Sequence, residues 1–436
     1  MSQPDEIADA RLLIEAIARL WPRVPQLLGD EQERFESELL IRLRALDAAL
    51  DTAGSVPATG VEGRVGQAQR GVLGVFEAFP AAYRELAGVF ADVERGAVPR
   101  AIPGAVAHER YLQVPVFYAT DRATVDDPRP SDWFSGRRGE LSYGVAQVSI
   151  PDDHRMAALE KPRWWRLDFV QDPARHVAVL DVAPLGHAEF VDRAAGTVAG
   201  ATVPEALVFV HGYNVSFTDA ARRAAQVAYD LHFPGLPMLY SWPSESAALR
   251  YTTDENNAVW TRPHFATFLR LALTGIGARR VHALAHSMGN RVLTDGLAGL
   301  PAEQARTLGQ VVFAAPDIDA AVFTQLAAVF AGRAAGYTLY ASSNDKALQA
   351  SQKLARYPRA GQTGDGLVVV TGVETIDASQ LDTGLMSHSY FGERTSVLSD
   401  LFYLLRDATP AAGRFGLTLA THTNGLPYWV FDPRAA

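Results

Sequence analysis

Val281-His282-Ala283-Leu284-Ala285-His286-Ser287-Met288-Gly289-Asn290-Arg291-Val292-Leu293 is an apolar run that ends in a serine and resumes with helix-like spacing. It has the sequence form of a nucleophile elbow, a sharp strand-to-helix turn with the serine at its apex. The turn strains the serine backbone and lifts its hydroxyl clear of the sheet. Residues two positions either side must be small, because strand and helix nearly touch. Ala285 and Gly289 meet that need, with alanine at the first place where glycine is usual. The same geometry aims the Met288 N–H, at a helix N-terminus, toward a developing oxyanion.

Around this turn, strand-like and helix-like runs alternate from residue 206 onward. Ala206–Val210 is uninterrupted apolar sequence, as expected of a strand buried on both faces. Ser216 with Asp219 opens a helix reaching about His232. Pro237–Tyr240 reads as a short strand, and Asn256–Thr274 as helix with Pro263 early in it. Arg280–Ala285 is the elbow strand, and its helix runs to about Leu300. Gln310–Ala314, Tyr337–Tyr340 and Leu367–Val370 read as further strands, with helices near 319–331 and 394–406. The alternation predicts a mostly parallel sheet with helices on both faces. Right-handed crossovers then bring every strand's C-terminal end to one edge. The lead-in at 105–200 is β-rich. Tyr111–Tyr118, Leu141–Ile150, Trp165–Val170 and His176–Val182 are its strand-like runs, expected as antiparallel edge strands.

The residues with chemical potential fall at such strand ends. After 206–210 comes His211-Gly212-Tyr213-Asn214, where Gly212 permits a tight turn and the Tyr213 N–H is the expected second oxyanion donor. A serine hydroxyl needs a base, and the base needs an orienting acid. Beyond Ser287 the candidate bases are His388 and His422, and His388 is favoured because it stands between the last strand and the last helix. The acid comes from Asp345, or from Asp317 and Asp319 one strand earlier. Asp345 is preferred, since Asp-x-Asp after a strand often caps a helix. The order Ser287, Asp345, His388 is the order the strand–elbow architecture uses. Trp242, Tyr251, Trp260 and Tyr390 are candidates to line a substrate pocket, and residues 243–262 are long enough to form a cap. His211, His232, His264 and His282 read as packing or surface histidines.

Composition narrows the field. The chain has 436 residues, 48% hydrophobic and 20% charged, which fits a globular protein of more than one unit. A net charge of −9 with no basic run argues against a nucleic-acid partner. There is no cysteine, hence no disulfide and no thiolate nucleophile or ligand. Without a His-x-x-x-His or a repeated acidic pattern, no metal or other cofactor is expected. Met1–Glu6 is acidic and lacks the form of a signal peptide, and the apolar stretch at 71–91 is broken by Glu77, Pro80, Arg84 and Glu85. No integral membrane segment is expected, and the cytoplasm is the expected location.

Residues 1–100 read as an N-terminal helical domain, and 105–436 as the catalytic one, with Pro99–Gly104 between them. Ile7, Ile14, Ile17 and Trp21 share one helical face. Asp30 and Glu33 have capping-box spacing, ahead of Phe35, Leu39, Leu43, Leu46 and Leu50. A glycine-rich loop at 53–65 precedes a helical region at 66–95 broken near Pro80. This part carries no chemistry and is expected to serve in homo-oligomerisation or in docking a protein partner.

Together, His211–Asn214, Ser241-Trp242-Pro243, Ala285–Asn290, Ala315-Pro316-Asp317-Ile318-Asp319, Ser343–Leu348 and His388-Ser389-Tyr390 resemble a bacterial α/β-hydrolase family of unassigned function. The similarity takes in Pro115–Arg122 and Tyr143-Gly144, so it spans roughly 110–405. Met386-Ser387-His388 departs from it by lacking a glycine before the histidine. The resemblance implies an α/β-hydrolase fold with a Ser-His-Asp triad of esterase or lipase type. Acting on a small-molecule carboxylic ester is the expected activity. The rival readings are a lipase or phospholipase on membrane lipid, and a signalling or defence protein whose helices recruit a partner to the hydrolase.

Overall fold

A computed structural model describes residues 13–14, 17, 20, 24, 28–53, 64–79, 82, 102–125, 133–152, 154, 172–245, 251–343, 348, 357–380, 395–414 and 416–431. The chain divides into two compact units. One holds Met1–Arg100 with Gly413–Gly416 and Asp432–Ala436, the other Ala101–Ala412 and Leu417–Phe431.

In the first unit, α1 (Gln32–Ala53) packs on α2 (Arg64–Glu77). Phe35 sits edge-on to Phe76 and to Phe79, each at 5.1 Å, among the buried Leu13, Ile17, Leu20 and Leu39. Of the expected first stripe, Ile17 is buried, but Ile14 faces out and Leu13 is inside in its place. Ile7 and Trp21 lie outside the described residues. The capping box at Asp30 does not form. Gly29, at φ +49°, opens a 3-10 turn over Gly29–Glu31, so Asp30 sits inside the turn and α1 starts only at Gln32.

The second unit is built on one sheet. Its strands are β1 (Val106–Ala107), β2 (Tyr111–Thr124), β3 (Phe134–Pro151), β4 (Ala178–Leu185), β5 (Glu205–Val210), β6 (Leu236–Ser241), β7 (Arg280–His286), β8 (Leu308–Ala314), β9 (Gly336–Ala341), β10 (Glu374–Asp377), β11 (Leu417–Thr421) and β12 (Pro427–Phe431). The order is β11-β12-β10-β9-β8-β7-β5-β6-β2-β3-β4, with β1 beside β2. From β12 to β2 every pairing is parallel. The flanks β3, β4 and β11 are antiparallel; of the lead-in strands expected as antiparallel edges, β3 and β4 are so, whereas β2 lies inside the sheet and runs parallel to β6. The helices are α3 (His187–Ala199), α4 (Phe217–Asp230), α5 (Tyr251–Trp260), α6 (Arg262–Thr274), α7 (Gly289–Ala298), α8 (Ala320–Phe330) and α9 (Thr395–Asp407). Side chains of α3, α6, α7 and α8 fill the core on one face of the sheet, and those of α4 and α9 the core on the other. Ala206–Val210 in β5 is buried throughout, as its unbroken apolar sequence requires, and Glu205 at the strand's start is buried in ion pairs with Arg279 and His282.

Three details differ from the sequence reading. The helix expected over 256–274 is two helices. Pro263, near the start of α6, has no N–H to continue the ladder from α5. Leu367–Val369 is buried and Val370 partly so, but the run joins no ladder; the chain turns at Gly372 (φ +84°), and Glu374–Asp377 pairs with β9 and β12 instead. The helix α3 and the hairpin β11–β12 were not anticipated. Trp165–Val170 falls outside the described residues. No helix among the described residues is long and apolar enough to cross a membrane.

Candidate active site

β5 leads to its neighbour β6 on one side, and the chain then crosses back over β5 to β7, from which β8, β9 and β10 follow outward. The C-terminal ends of β5 and β7 therefore flank the point where strand order reverses. In a doubly wound sheet that point leaves a crevice. His211–Asn214 and Ser287 stand on its two sides.

Ser287 has φ +52°, a left-handed conformation rare outside glycine. It is held there from several directions. Its N–H donates to Ala314 O at 3.0 Å, and its carbonyl accepts from Asn290 N and Asp317 N, both at 3.1 Å. Asn290 Nδ2 donates to the same carbonyl at 2.9 Å and to Ala314 O at 3.1 Å. Such strain persists only where surrounding bonds fix it. The need for small neighbours has a visible cause. A Cβ on Gly289 would run into the His211 carbonyl oxygen and lie 2.8 Å from Val210 O. Ala285 is fully buried in register between Val210 and Phe313.

Gly212 faces the serine across the crevice. A Cβ there would lie 2.9 Å from Ser287 Cβ, so loop backbone alone fits. Met288 is the N-cap of α7, and no described residue accepts from its N–H. Tyr213 is partly buried, with its ring 5.4 Å from that of Tyr251; burial, then the nearby Asp254, raises its hydroxyl pKa.

This sheet carries a known signature. Residues 193–406 match the family described as alpha/beta hydrolase of unknown function (DUF900). That segment belongs to it. No curated protein matches the chain. The α/β-hydrolase match begins inside α3 and ends inside α9, so it takes in β5 to β10 and the elbow but not β2 or β3, which the resemblance in sequence had included.

Within this α/β-hydrolase unit the expected site residues fare differently. Asp345, His388 and Tyr390 lie outside the described residues. Asp319 caps α8, accepting from Ala321 N at 2.9 Å and Val322 N at 3.1 Å, as its position suggested. Asp317 is buried beside the elbow. Its carboxylate accepts from the Tyr251 hydroxyl at 2.8 Å and pairs with Arg359 at 3.3 Å. Tyr251 thus stands near the elbow. Trp260, at the other end of α5, packs edge-on to His264 at 4.9 Å with Arg138 over its ring at 5.1 Å. Trp242, expected at a substrate pocket, is fully buried. Its indole stacks on His211 at 5.1 Å and donates to His211 O at 2.8 Å, a place that suits a large ring with one polar atom.

The histidines read as packing are fixed by neighbours. His282 pairs with Glu205 at 3.3 Å and accepts from Gln310 N at 3.0 Å. His264 bonds the buried Asp121 at 2.9 Å. His211 is buried; burial, then the adjacent Arg122, pushes its pKa well below the usual histidine range.

Two charged clusters were missed in the sequence. Arg122, at the end of β2, is buried with its guanidinium spread over the loops after β5 and β6. Burial pulls its pKa down to about 10, against the pull of Asp121 and Asp254. Arg291, four residues past Ser287, pairs with Glu255 at 2.9 Å and donates to Asp317 O at 2.6 Å and Tyr251 Oη at 3.1 Å. Burial opposes its charge, but Asp317, Tyr251 and Glu255 outweigh it and raise the pKa. Their motifs were visible, but a single arginine in sequence carries no sign of burial. Among the described residues no group of three or more His, Cys, Asp or Glu is placed to hold a metal ion.

Proposed function

We propose that the protein hydrolyses carboxylic esters through an acyl-enzyme on Ser287. The observation that carries this reading is the left-handed Ser287 at the elbow, with the Gly212 backbone pressed against its side chain. In the first step the Ser287 hydroxyl oxygen attacks the ester carbonyl carbon while its proton passes to His388. Asp345 holds His388 in the tautomer that can accept that proton. The carbonyl oxygen takes up the negative charge and is met by the Met288 and Tyr213 N–H groups. The intermediate collapses, and His388 returns the proton to the departing alcohol. Water then repeats the sequence on the acyl-enzyme and frees the acid. Tyr251 stands at the substrate's approach, and the helical residues 1–100 take no part in the chemistry.

A fluorophosphonate label followed by peptide mapping tests the nucleophile, and a panel of esters of graded chain length tests the reaction. Modification of Ser287 with turnover of at least one ester is the expected result. Labelling of a different serine, or an inert protein across the panel, overturns the reading.

A further inference from the structure

Arg122 donates five hydrogen bonds. Its Nε reaches Ser241 Oγ at 2.9 Å; Nη1 reaches Ser244 O at 3.0 Å and Ser135 O at 3.4 Å; Nη2 reaches Val215 O at 2.7 Å and His211 Nε2 at 3.2 Å. A guanidinium has no lone pair to offer, so at His211 it can only donate. His211 Nε2 is therefore the acceptor nitrogen, and the ring proton is on Nδ1. That Nδ1–H donates to the Gly212 carbonyl at 2.8 Å. In a trans peptide the carbonyl and the following N–H point in opposite directions. Fixing the Gly212 oxygen toward the ring turns the Tyr213 N–H away from it. The ring is itself immobilised by its stacking on Trp242. The far end of the loop is held too, by Val215 O on Arg122 and by Val215 N on Ser244 Oγ at 3.3 Å.

We propose that Arg122 is a positioning residue for the oxyanion hole: it selects the Nδ1–H tautomer of His211, which holds the Gly212 carbonyl and so aims the Tyr213 N–H at the reacting carbonyl oxygen. The proposal rests on ester hydrolysis at Ser287. It gives a role to Arg122, whose motif lies on β2, outside the matched segment. Lysine at this position keeps the charge but cannot reach acceptors on both sides of the fork.

The test pairs spectroscopy with kinetics. In the 15N-histidine-labelled wild-type protein, His211 should show a protonated Nδ1 and an unprotonated Nε2. Finding the proton on Nε2 overturns the proposal, whether or not any variant folds. In Arg122→Lys, kcat for an ester should fall about tenfold to hundredfold, with KM changed by no more than about twofold, since a displaced oxyanion donor acts on the transition state. The matched thionoester, whose sulfur fits an oxyanion hole poorly, should lose less, so the ester-to-thionoester ratio should shrink. A merely structural role would scale both substrates alike, and that result overturns the proposal. So does an active variant with unchanged kcat. A wild-type protein inert to all esters overturns the underlying reading and the proposal with it, while the tautomer measurement still stands as a separate result.

Discussion

The Tyr251 hydroxyl donates to Asp317 Oδ2 at 2.8 Å, tying the first residue of α5 to the loop that follows β8. Through its own N–H, Asp317 also holds the Ser287 carbonyl. Arg291 bonds both partners and Glu255, so α5 and the elbow helix are joined through one arginine. Tyr251→Phe removes a hydroxyl that donates to Asp317 and accepts from Arg291, and should cost about 1 kcal/mol in urea denaturation. Its proposed place at the substrate's approach predicts that KM rises more than kcat falls in ester assays.

Ser287→Ala should lower ester turnover by about four to six decades and leave the denaturation midpoint nearly unchanged. The strained backbone is fixed by its N–H bond to the Ala314 carbonyl and by bonds from Asn290 and Asp317, all of which alanine keeps. Loss of fluorophosphonate labelling together with unaltered circular dichroism is the expected pair of results.

Asp345 and Asp319 separate in one experiment. Asp319 caps α8, so Asp319→Ala should cost about 1 kcal/mol of stability with turnover retained. Asp345→Asn should fold normally and lose about four decades in kcat, as expected when the orienting acid favours the wrong histidine tautomer. The opposite pattern would move the acid to the loop after β8.

Gly289→Ala puts a methyl group where the His211 carbonyl already lies. Overpacking against backbone costs about 1–3 kcal/mol, since no rotamer change can relieve it. Thermal melting should drop, and labelling of Ser287 should slow because the displaced loop carries the proposed oxyanion donor. Ala285→Gly, which adds nothing to the contact, should leave labelling nearly unchanged.

A chain starting near residue 105 should still hydrolyse small soluble esters, because every proposed catalytic residue follows residue 200. A shortened protein that is folded by circular dichroism yet inert would give the helices a part in the site.

The elements most legible in the sequence were those whose residues share one environment. Ala206–Val210 is apolar throughout because both its faces are covered, and the elbow is legible because strain and close packing restrict Ser287 and Gly289 at once. The Ser216–Asp219 cap was readable for the same reason: Ser216 Oγ accepts from Asp219 N at 3.0 Å, a purely local bond. Leu367–Val370 misled because burial alone gives an apolar run, whereas the ladder that begins at Glu374 was decided by a glycine turn and by β9. The burial of Trp242 was not legible, since a pocket and a packed core select the same side chain. Arg122 could not be read at all. Its acceptors are mostly carbonyl oxygens, which every sequence supplies and none reveals.

The hairpin β11–β12 occupies what would otherwise be a bare rim. β10 is a short parallel strand, and β12 covers its outer side, pairing Ile376 with Trp429 and Asp377 with Val430. Open rims attract other chains, because their N–H and C=O groups seek partners. Deleting residues 417–431 should therefore change the solution behaviour of the protein before it changes its chemistry. Light scattering should detect self-association growing with concentration, and a fusion partner placed after residue 431 should be tolerated where one placed after 412 is not.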